Sequence, residues 1–433
     1  MALITVAAAL ALSPGLASAA QTYYVAPAGT GSACTQAEPC SLSQVLATPT
    51  TSGDKVVLAG NEGTYGSAGL PTSAGIDIPA GVTWTGAPDQ SMPIIYSQPS
   101  SPSVAGVSLE GSGSKLTDLD IEYSGNAAAL SAKGGSVERV LALSGLSGDG
   151  CNLASGPLVV RDSVCSGRNG LFTEVVGSGP ESLTLRNDTV YGNAESGYSI
   201  LTDGVEVTIS ATNTIIHSEG TGQDIAAKVL TGSIDFGLEY SNYAHVSKKG
   251  GAVVTDPGSA TNQIAPPFFV DAAADDFREA GDSPTIDAGV NESANGETDL
   301  AGNPRALPGH LACGQEPPPA ITDIGAYEFV PVAPPCVPPP GNEERPPHAP
   351  NTRIIGVRVR HHVASFRFNA ARITSLISFQ CELAEEPFRP CNSPKTYTHL
   401  KPGTYRFTVR AVGQPGGIDL TPAVRSFRIR PRG

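Results

Sequence analysis

The feature that most limits what this 433-residue chain can fold into is a repeat. Short segments rich in leucine, isoleucine and valine begin at Leu116 (LTDLDIEYSG), Val137 (VERVLALSG), Leu158 (LVVRDSVCSG), Leu183 (LTLRNDTVYGN), Val207 (VTISATNTIIHSEG) and Ile234 (IDFGLEYSNY), with starts 21, 21, 25, 24 and 27 residues apart. No helical periodicity lies between them. A spacing of about 20–30 residues without intervening helix predicts a β-solenoid, in which each turn of chain supplies short strands that stack on the turn below. A polar corner recurs inside the repeats, at Arg161-Asp162-Ser163, Arg186-Asn187-Asp188 and Ala211-Thr212-Asn213, and Val164, Val190 and Ile215 follow it. A β-sandwich also gives short strands, but nothing in it requires that order of strand, Asn/Asp corner, strand and Gly-rich turn. The 49 glycines and 37 prolines supply the turns and argue against a helical bundle.

The ends of the repeat region carry a more specific signal. The opening YYVAPAGTGSACTQAEPCSLSQVLA, followed by DKVVLAGNEGTY, resembles the cap and first coil of secreted right-handed parallel β-helix proteins, the pectate-lyase-like superfamily. The segments SPTIDAG (Ser283 to Gly289), TDLAGNPR (Thr298 to Arg305) and DIGAYEF (Asp323 to Phe329) resemble the closing segment of the β-helix proteins called choice-of-anchor Q. The resemblance covers roughly residues 21–330 and implies a fold more than an activity, because the superfamily holds lyases, hydrolases, epimerases and adhesins.

Residues 1–20 (MALITVAAALALSPGLASAA) read as a signal peptide, with an apolar run from Ala2 to Leu12, a Pro14-Gly15 break and small residues at Ala17-Ser18-Ala19. No later run is long and apolar enough to span a membrane. Eight cysteines fall into near neighbours, Cys34 with Cys40, Cys151 with Cys165, Cys313 with Cys336 and Cys381 with Cys391, which makes local disulfides in an oxidising compartment the simplest arrangement. None has C-x-x-C spacing and no H-E-x-x-H occurs, so neither a zinc site nor a thioredoxin-type centre is expected.

Residues 331–350 hold nine prolines in twenty positions and read as an extended linker. Beyond it, residues 351–433 carry a net charge of +10, whereas the preceding 350 residues carry −24. An acidic body does not bind nucleic acid non-specifically, while the basic tail suits a polyanion such as cell-wall polysaccharide. The tail segments FQCELAEEPFRPC, KTYTHLKPGTYRFTVRAV and TPAVRSFRIR alternate, placing Tyr405, Phe407, Val409 and Ala411 on one side and Arg406, Thr408 and Arg410 on the other. Leu400-Lys401-Pro402-Gly403-Thr404-Tyr405 resembles the corner before a late strand in fibronectin type III and immunoglobulin-like domains. The expected fold is therefore all-β: a right-handed parallel β-helix (21–330), then a small β-sandwich (351–433).

Outward side chains of a stacked coil form columns about 4.8 Å per step, where a polymer can be read. Aligning the repeats places Asp118, Arg139, Arg161, Arg186 and Ser210 in one exterior column, and Arg139, Arg161 and Arg186 suit the carboxylates of a uronic-acid chain. Asp118, Asp120 and Glu122 alternate along one strand face and can offer oxygen ligands to Ca²⁺, the ion that pectate lyases of this fold hold beside a basic residue. Asp275-Asp276 lies in the irregular DAAADDFREAGDSP and reads as a polar loop rather than a glycosidase pair. The motifs of polygalacturonase-like hydrolases and alginate epimerases are absent, and no G-x-S-x-G elbow occurs. Two readings follow. The first is a secreted or cell-surface, monomeric protein that binds extracellular or cell-wall polysaccharide and needs no cofactor. The second is a polysaccharide lyase or other carbohydrate-active enzyme acting on a uronic-acid polymer.

Overall fold

The computed structural model describes residues 19–66, 75–99, 101, 103–153, 156–177, 180–309, 317–331, 350–360, 362–371, 377–384, 386–413 and 417–429. The expected signal peptide, apart from its last two residues, lies outside them, as do Cys313, Cys336 and all but the ends of the proline-rich linker. The chain divides into two compact units, Met1–Pro334 and Pro335–Gly433.

The first unit is built on a 20-stranded parallel sheet, compatible with the stacked coil that the repeat predicts. Its register shows how the sequence makes it. Val56, Trp84, Leu116, Val137, Val160, Leu185, Ala211 and Leu238 are paired one above another, and all are buried. A second buried column runs Ile95, Ile121, Ala142, Cys165, Val190 and Ile216. A third runs Ile76, Val107, Leu130, Cys151, Leu171, Tyr198 and Ile225. The three columns contribute to one buried apolar cluster. From Leu116 to Leu238 successive circuits advance by 21, 23, 25, 26 and 27 residues.

The polar corners have a geometric cause. Asp118, Arg139, Asp162, Asn187, Asn213 and Tyr240 hold φ of 58°, 49°, 52°, 53°, 53° and 47°. One left-handed residue per circuit turns the chain from the first column toward the second, and Asp and Asn tolerate that conformation better than other non-glycine residues.

Cys34–Cys40, Cys151–Cys165 and Cys381–Cys391 are disulfides, a bond pattern suited to an oxidising compartment. Among the described residues no helix is long and apolar enough to cross a membrane.

The second unit has two antiparallel sheets. One pairs Asn351–Arg360, Val363–Ala371 and Lys395–Tyr397. The other pairs Arg389–Cys391, Ile377–Leu383, Gly403–Gly413, Gly417–Ile418 and Ala423–Ile429. They share one aromatic core, in which Phe366 stacks on Phe407 at 4.0 Å between centroids. The expected alternation holds for Phe407, Val409 and Ala411, which are buried, and for Arg406, which is exposed.

Cys151 and Cys165 belong to different columns of the same interior, and their bond closes a 14-residue separation. Replacing both with alanine is expected to lower the stability of the first unit by about 2–4 kcal/mol in chemical denaturation, from lost loop closure and lost packing.

Candidate functional site

The three arginines sit where the first column turns, and all are engaged by their own chain. Arg139 grips Asp118 through Nε at 2.7 Å and Nη2 at 3.1 Å, and its Nη1 also bonds Glu138. Arg161 pairs with Glu138 at 2.7 Å and Asp162 at 3.3 Å, and donates to the Ala294 carbonyl at 3.2 Å. Arg186 pairs with Glu292 at 2.8 Å and donates to Asn295 Oδ1 at 3.0 Å. Arg161 and Arg186 are register neighbours as expected, with Glu138 and Thr212 on either side; Ser210 lies two positions away, opposite Thr184. Arg139 occupies the left-handed corner instead, level with Asp118. A uronate chain would have to displace carboxylates already in place.

The same corner is where the closing segment docks. Asn187 donates to Asp162 Oδ1 at 3.1 Å, and Asn213 donates to Asn187 Oδ1 at 3.0 Å, forming a hydrogen-bonded ladder from circuit to circuit. Arg305, the last residue of TDLAGNPR, is buried against it. Its Nε and Nη2 donate to Asp162 Oδ1 at 3.0 and 2.7 Å, and Nη2 also reaches the Gly325 and Ala326 carbonyls at 3.0 and 3.2 Å. Gly325 N donates to the Asn213 carbonyl at 2.8 Å, and Ala326 N to Thr189 Oγ1 at 3.0 Å. The acidic residues of the closing motifs satisfy backbone N–H groups: Asp323 accepts from Asp287 and Phe329, Glu328 from Leu307 and Asp323, and Asp299 from Asn303 and Glu328. Burial raises the carboxyls of Asp323 and Glu328 above their ordinary range. Glu279, buried beside them with Oε1 lacking a hydrogen-bond partner among the described residues, is pushed up to about 8 by desolvation. These groups build the closure and face away from solvent.

A different face holds the open carboxyls. Outside the second column, Tyr96, Glu122, Leu143, Ser166, Tyr191 and His217 are in register, with Asp120, Leu141, Val164 and Thr189 beside them. The closing segment roofs much of this surface. A hairpin of Phe269–Asp271 and Asp276–Glu279, joined through Ala272–Ala274 and Asp275, lays Phe277 with Leu300 and Ala326 on Val164 and Tyr191. The roof ends at Asp275, and there a cleft of about 360 Å³ is lined by Asp120, Glu122, Leu141, Leu143, Ala274 and Asp275, among others.

Three carboxyls therefore converge with no cation among the lining residues. Asp120 is raised to about 7 by burial, by Glu122 and by Asp275, and its Oδ1 is buried without a hydrogen-bond partner among the described residues. Glu122 is raised by burial against the opposing hydrogen bond from Tyr96, and Asp275 is raised by burial. Asp120 and Glu122 thus share a site, but Asp118 does not join them. Its positive φ takes it out of the strand alternation, and its carboxylate is bound to Arg139. Among the described residues no group of three or more His, Cys, Asp or Glu side chains is arranged to hold a metal ion. Asp275 is the member that strand periodicity misses, since it enters only through the tertiary position of the hairpin, while Asp276 turns to Arg278 at 2.6 Å. A protonated carboxyl beside ionisable ones can donate and accept hydrogen bonds to sugar hydroxyls and, with a substrate in place, can exchange a proton with it.

No protein-family model matches this chain, and no curated protein is detectably similar to it.

Arg305→Leu is expected to cost about 3–5 kcal/mol, since it removes the buried cation shared by Asp162 and Glu328 and leaves Asp162 only its longer pairing with Arg161, as read by the thermal midpoint of the full chain. Glu279 sets a pH dependence. Its folded pKa of about 8 lies above the unfolded value, so its contribution is fully present below about pH 4 and is lost as pH rises through 8. Glu279→Gln should flatten the fall in thermal midpoint between about pH 5 and 9.

Proposed function

We propose that this is an exported right-handed parallel β-helix protein with an appended small β-sandwich, and that it binds an extracellular or cell-wall polysaccharide in the cleft of Asp120, Glu122 and Asp275. The observation that carries the reading is the convergence of three carboxyls under the end of the closing hairpin, on a strand face where successive circuits offer aligned side chains. The motif resemblance at both ends of the first unit and the parallel stacking support the fold; the disulfides support export. The charge of the cleft selects the ligand. Carboxylates accept hydrogen bonds from vicinal hydroxyls and repel uronates, so the favoured polymer is neutral or carries amino groups.

A second reading has its own observation. Asp120, held protonated up to about pH 7, stands beside a second carboxyl and is therefore a candidate general acid for glycoside cleavage. This reading takes precedence over uronate β-elimination because Arg139, Arg161 and Arg186 are already paired with Asp118, Glu138, Asp162 and Glu292.

Calorimetric titration of the full chain with soluble β-glucan, mannan, chitosan oligomers and oligogalacturonate separates these readings. Binding is expected to a neutral or amino-sugar member, weakened about tenfold or more by Asp120→Asn with Glu122→Gln while the melting curve is kept. Absence of binding to any neutral or amino-sugar member, or such binding indifferent to the double variant, would overturn the cleft assignment. Release of reducing ends, falling as pH rises past about 7 and reduced by about 10²–10⁴ in Asp120→Asn, would establish the catalytic reading.

A further inference from the structure

The second unit carries a surface independent of the cleft. In the sheet of Asn351–Arg360, Val363–Ala371 and Lys395–Tyr397, Ile354, Val357, Phe366 and Phe368 turn to the aromatic core. The opposite face therefore receives the alternate positions. A register shift between Ile354 and Gly356 restores the alternation beyond the bulge, so that Arg353 faces Asn369, Gly356 faces Arg367, Arg358 faces Ser365 and Arg360 faces Val363. Thr396 extends the row, bonded to Ser365 at 3.0 Å.

Arg353, Arg358, Arg360 and Arg367 are all exposed. Among the described residues none of the four takes part in an ion pair, in contrast to Arg139, Arg161 and Arg186 of the first unit. No acidic residue occupies a described position on these three strands. Gly356 leaves room beside Arg367, whose Cβ and Cδ would lie 3.7 and 3.9 Å from a side chain begun at that position. The other sheet is less uniform. Its exposed Arg406 lies on the strand whose Thr408 pairs with Glu382, and Arg410 is tied to Gln380 at 3.0 Å and stacked on Phe388.

We propose that the face of Arg353, Arg358, Arg360 and Arg367 is a binding surface for an anionic polysaccharide. Four unneutralised guanidiniums on a polar sheet complement a chain of carboxylate, sulfate or phosphate groups, and residues two apart on a strand, such as Arg358 and Arg360, project about 7 Å apart toward it. Arginine engages such groups through paired N–H donors, which a lysine cannot do. None of the described positions paired across this face carries an aromatic side chain on which the bases of single-stranded nucleic acid could stack. The exposed aliphatic side chains on these strands are Ile355, at the bulge, and Val359 and Val363, too little to anchor in a lipid surface. The Cys381–Cys391 disulfide suits the oxidising setting where acidic glycans occur.

The test uses the full chain on immobilised polygalacturonate and dextran sulfate, with uncharged dextran as control. Salt-sensitive retention on at least one anionic glycan and none on dextran is expected. Arg353→Thr, Arg358→Thr, Arg360→Thr and Arg367→Thr combined should weaken it about tenfold or more near 0.15 M NaCl. Arg389→Thr, Arg406→Thr, Arg425→Thr and Arg428→Thr combined removes the same charge elsewhere and should stay within about twofold. Asp120→Asn with Glu122→Gln should leave the retention unchanged, which separates this surface from the cleft. If the first threonine set melts early, lysine at its four positions keeps the charge and should still bind about twofold or more weakly. Absence of retention, equal losses in the two threonine sets, equal binding by the lysine set, or tighter binding to duplex DNA or phosphatidylserine vesicles than to the glycans would each overturn the proposal.

Discussion

In the first unit, backbone hydrogen bonds run between circuits rather than within them, and everything else depends on that direction. A strand such as Pro157–Arg161 satisfies its N–H and C=O groups only against Gly135–Ser144 on one side and Glu181–Arg186 on the other. Register is therefore shared by every circuit at once. Inward columns must stay apolar, as Val137, Val160 and Leu185 do, while outward columns are free to vary; Glu122, Leu143, Ser166, Tyr191 and His217 follow one another in a single file. A stack of this kind keeps its interior constant and writes its chemistry on its outside.

The closing segment uses that outside in two ways. Arg305 and the Gly325 and Ala326 backbone engage the Asp162–Asn187–Asn213 ladder, and the hairpin carrying Phe277 covers the neighbouring strand face. One residue, Asp162, is thus both a corner and an anchor. Its carboxylate receives Asn187 from the next circuit and Arg305 from 143 residues farther along. The cleft of Asp120 and Glu122 exists because the roof stops at Asp275, so the segment that closes the core also shapes the candidate site.

The all-β class and the parallel stacking were legible in the repeat, and the Asn/Asp corners marked the left-handed turns. Register was less legible for a physical reason. Side chains alternate with period two, so a slip of two residues leaves the same faces inside. Leu158 pairs with Gly135 and Val160 with Val137, although the two strand starts look equivalent in sequence. The left-handed corner at Asp118 resets the phase of alternation and removes Asp118 from the company of Asp120 and Glu122. The pairing of Arg161 with Ala294 or Arg186 with Glu292 joins parts of the chain more than a hundred residues apart, and no local pattern encodes it. Asp275, which the sequence places in a polar loop, reaches the cleft only through the tertiary position of its hairpin.

The disulfides have a mechanical meaning. Cys34–Cys40, Cys151–Cys165 and Cys381–Cys391 span 6, 14 and 10 residues of sequence, so each is a short loop that withholds little contour when the chain is pulled from its ends. Among the described disulfides none ties one circuit to the next: Cys151 and Cys165 lie on the same pass of the chain. Tension on the first unit would therefore be borne by the ladders between circuits and by the Arg305 contact, and would yield by peeling one circuit at a time. Oxidation of these three bonds would then shorten the extension under load only slightly.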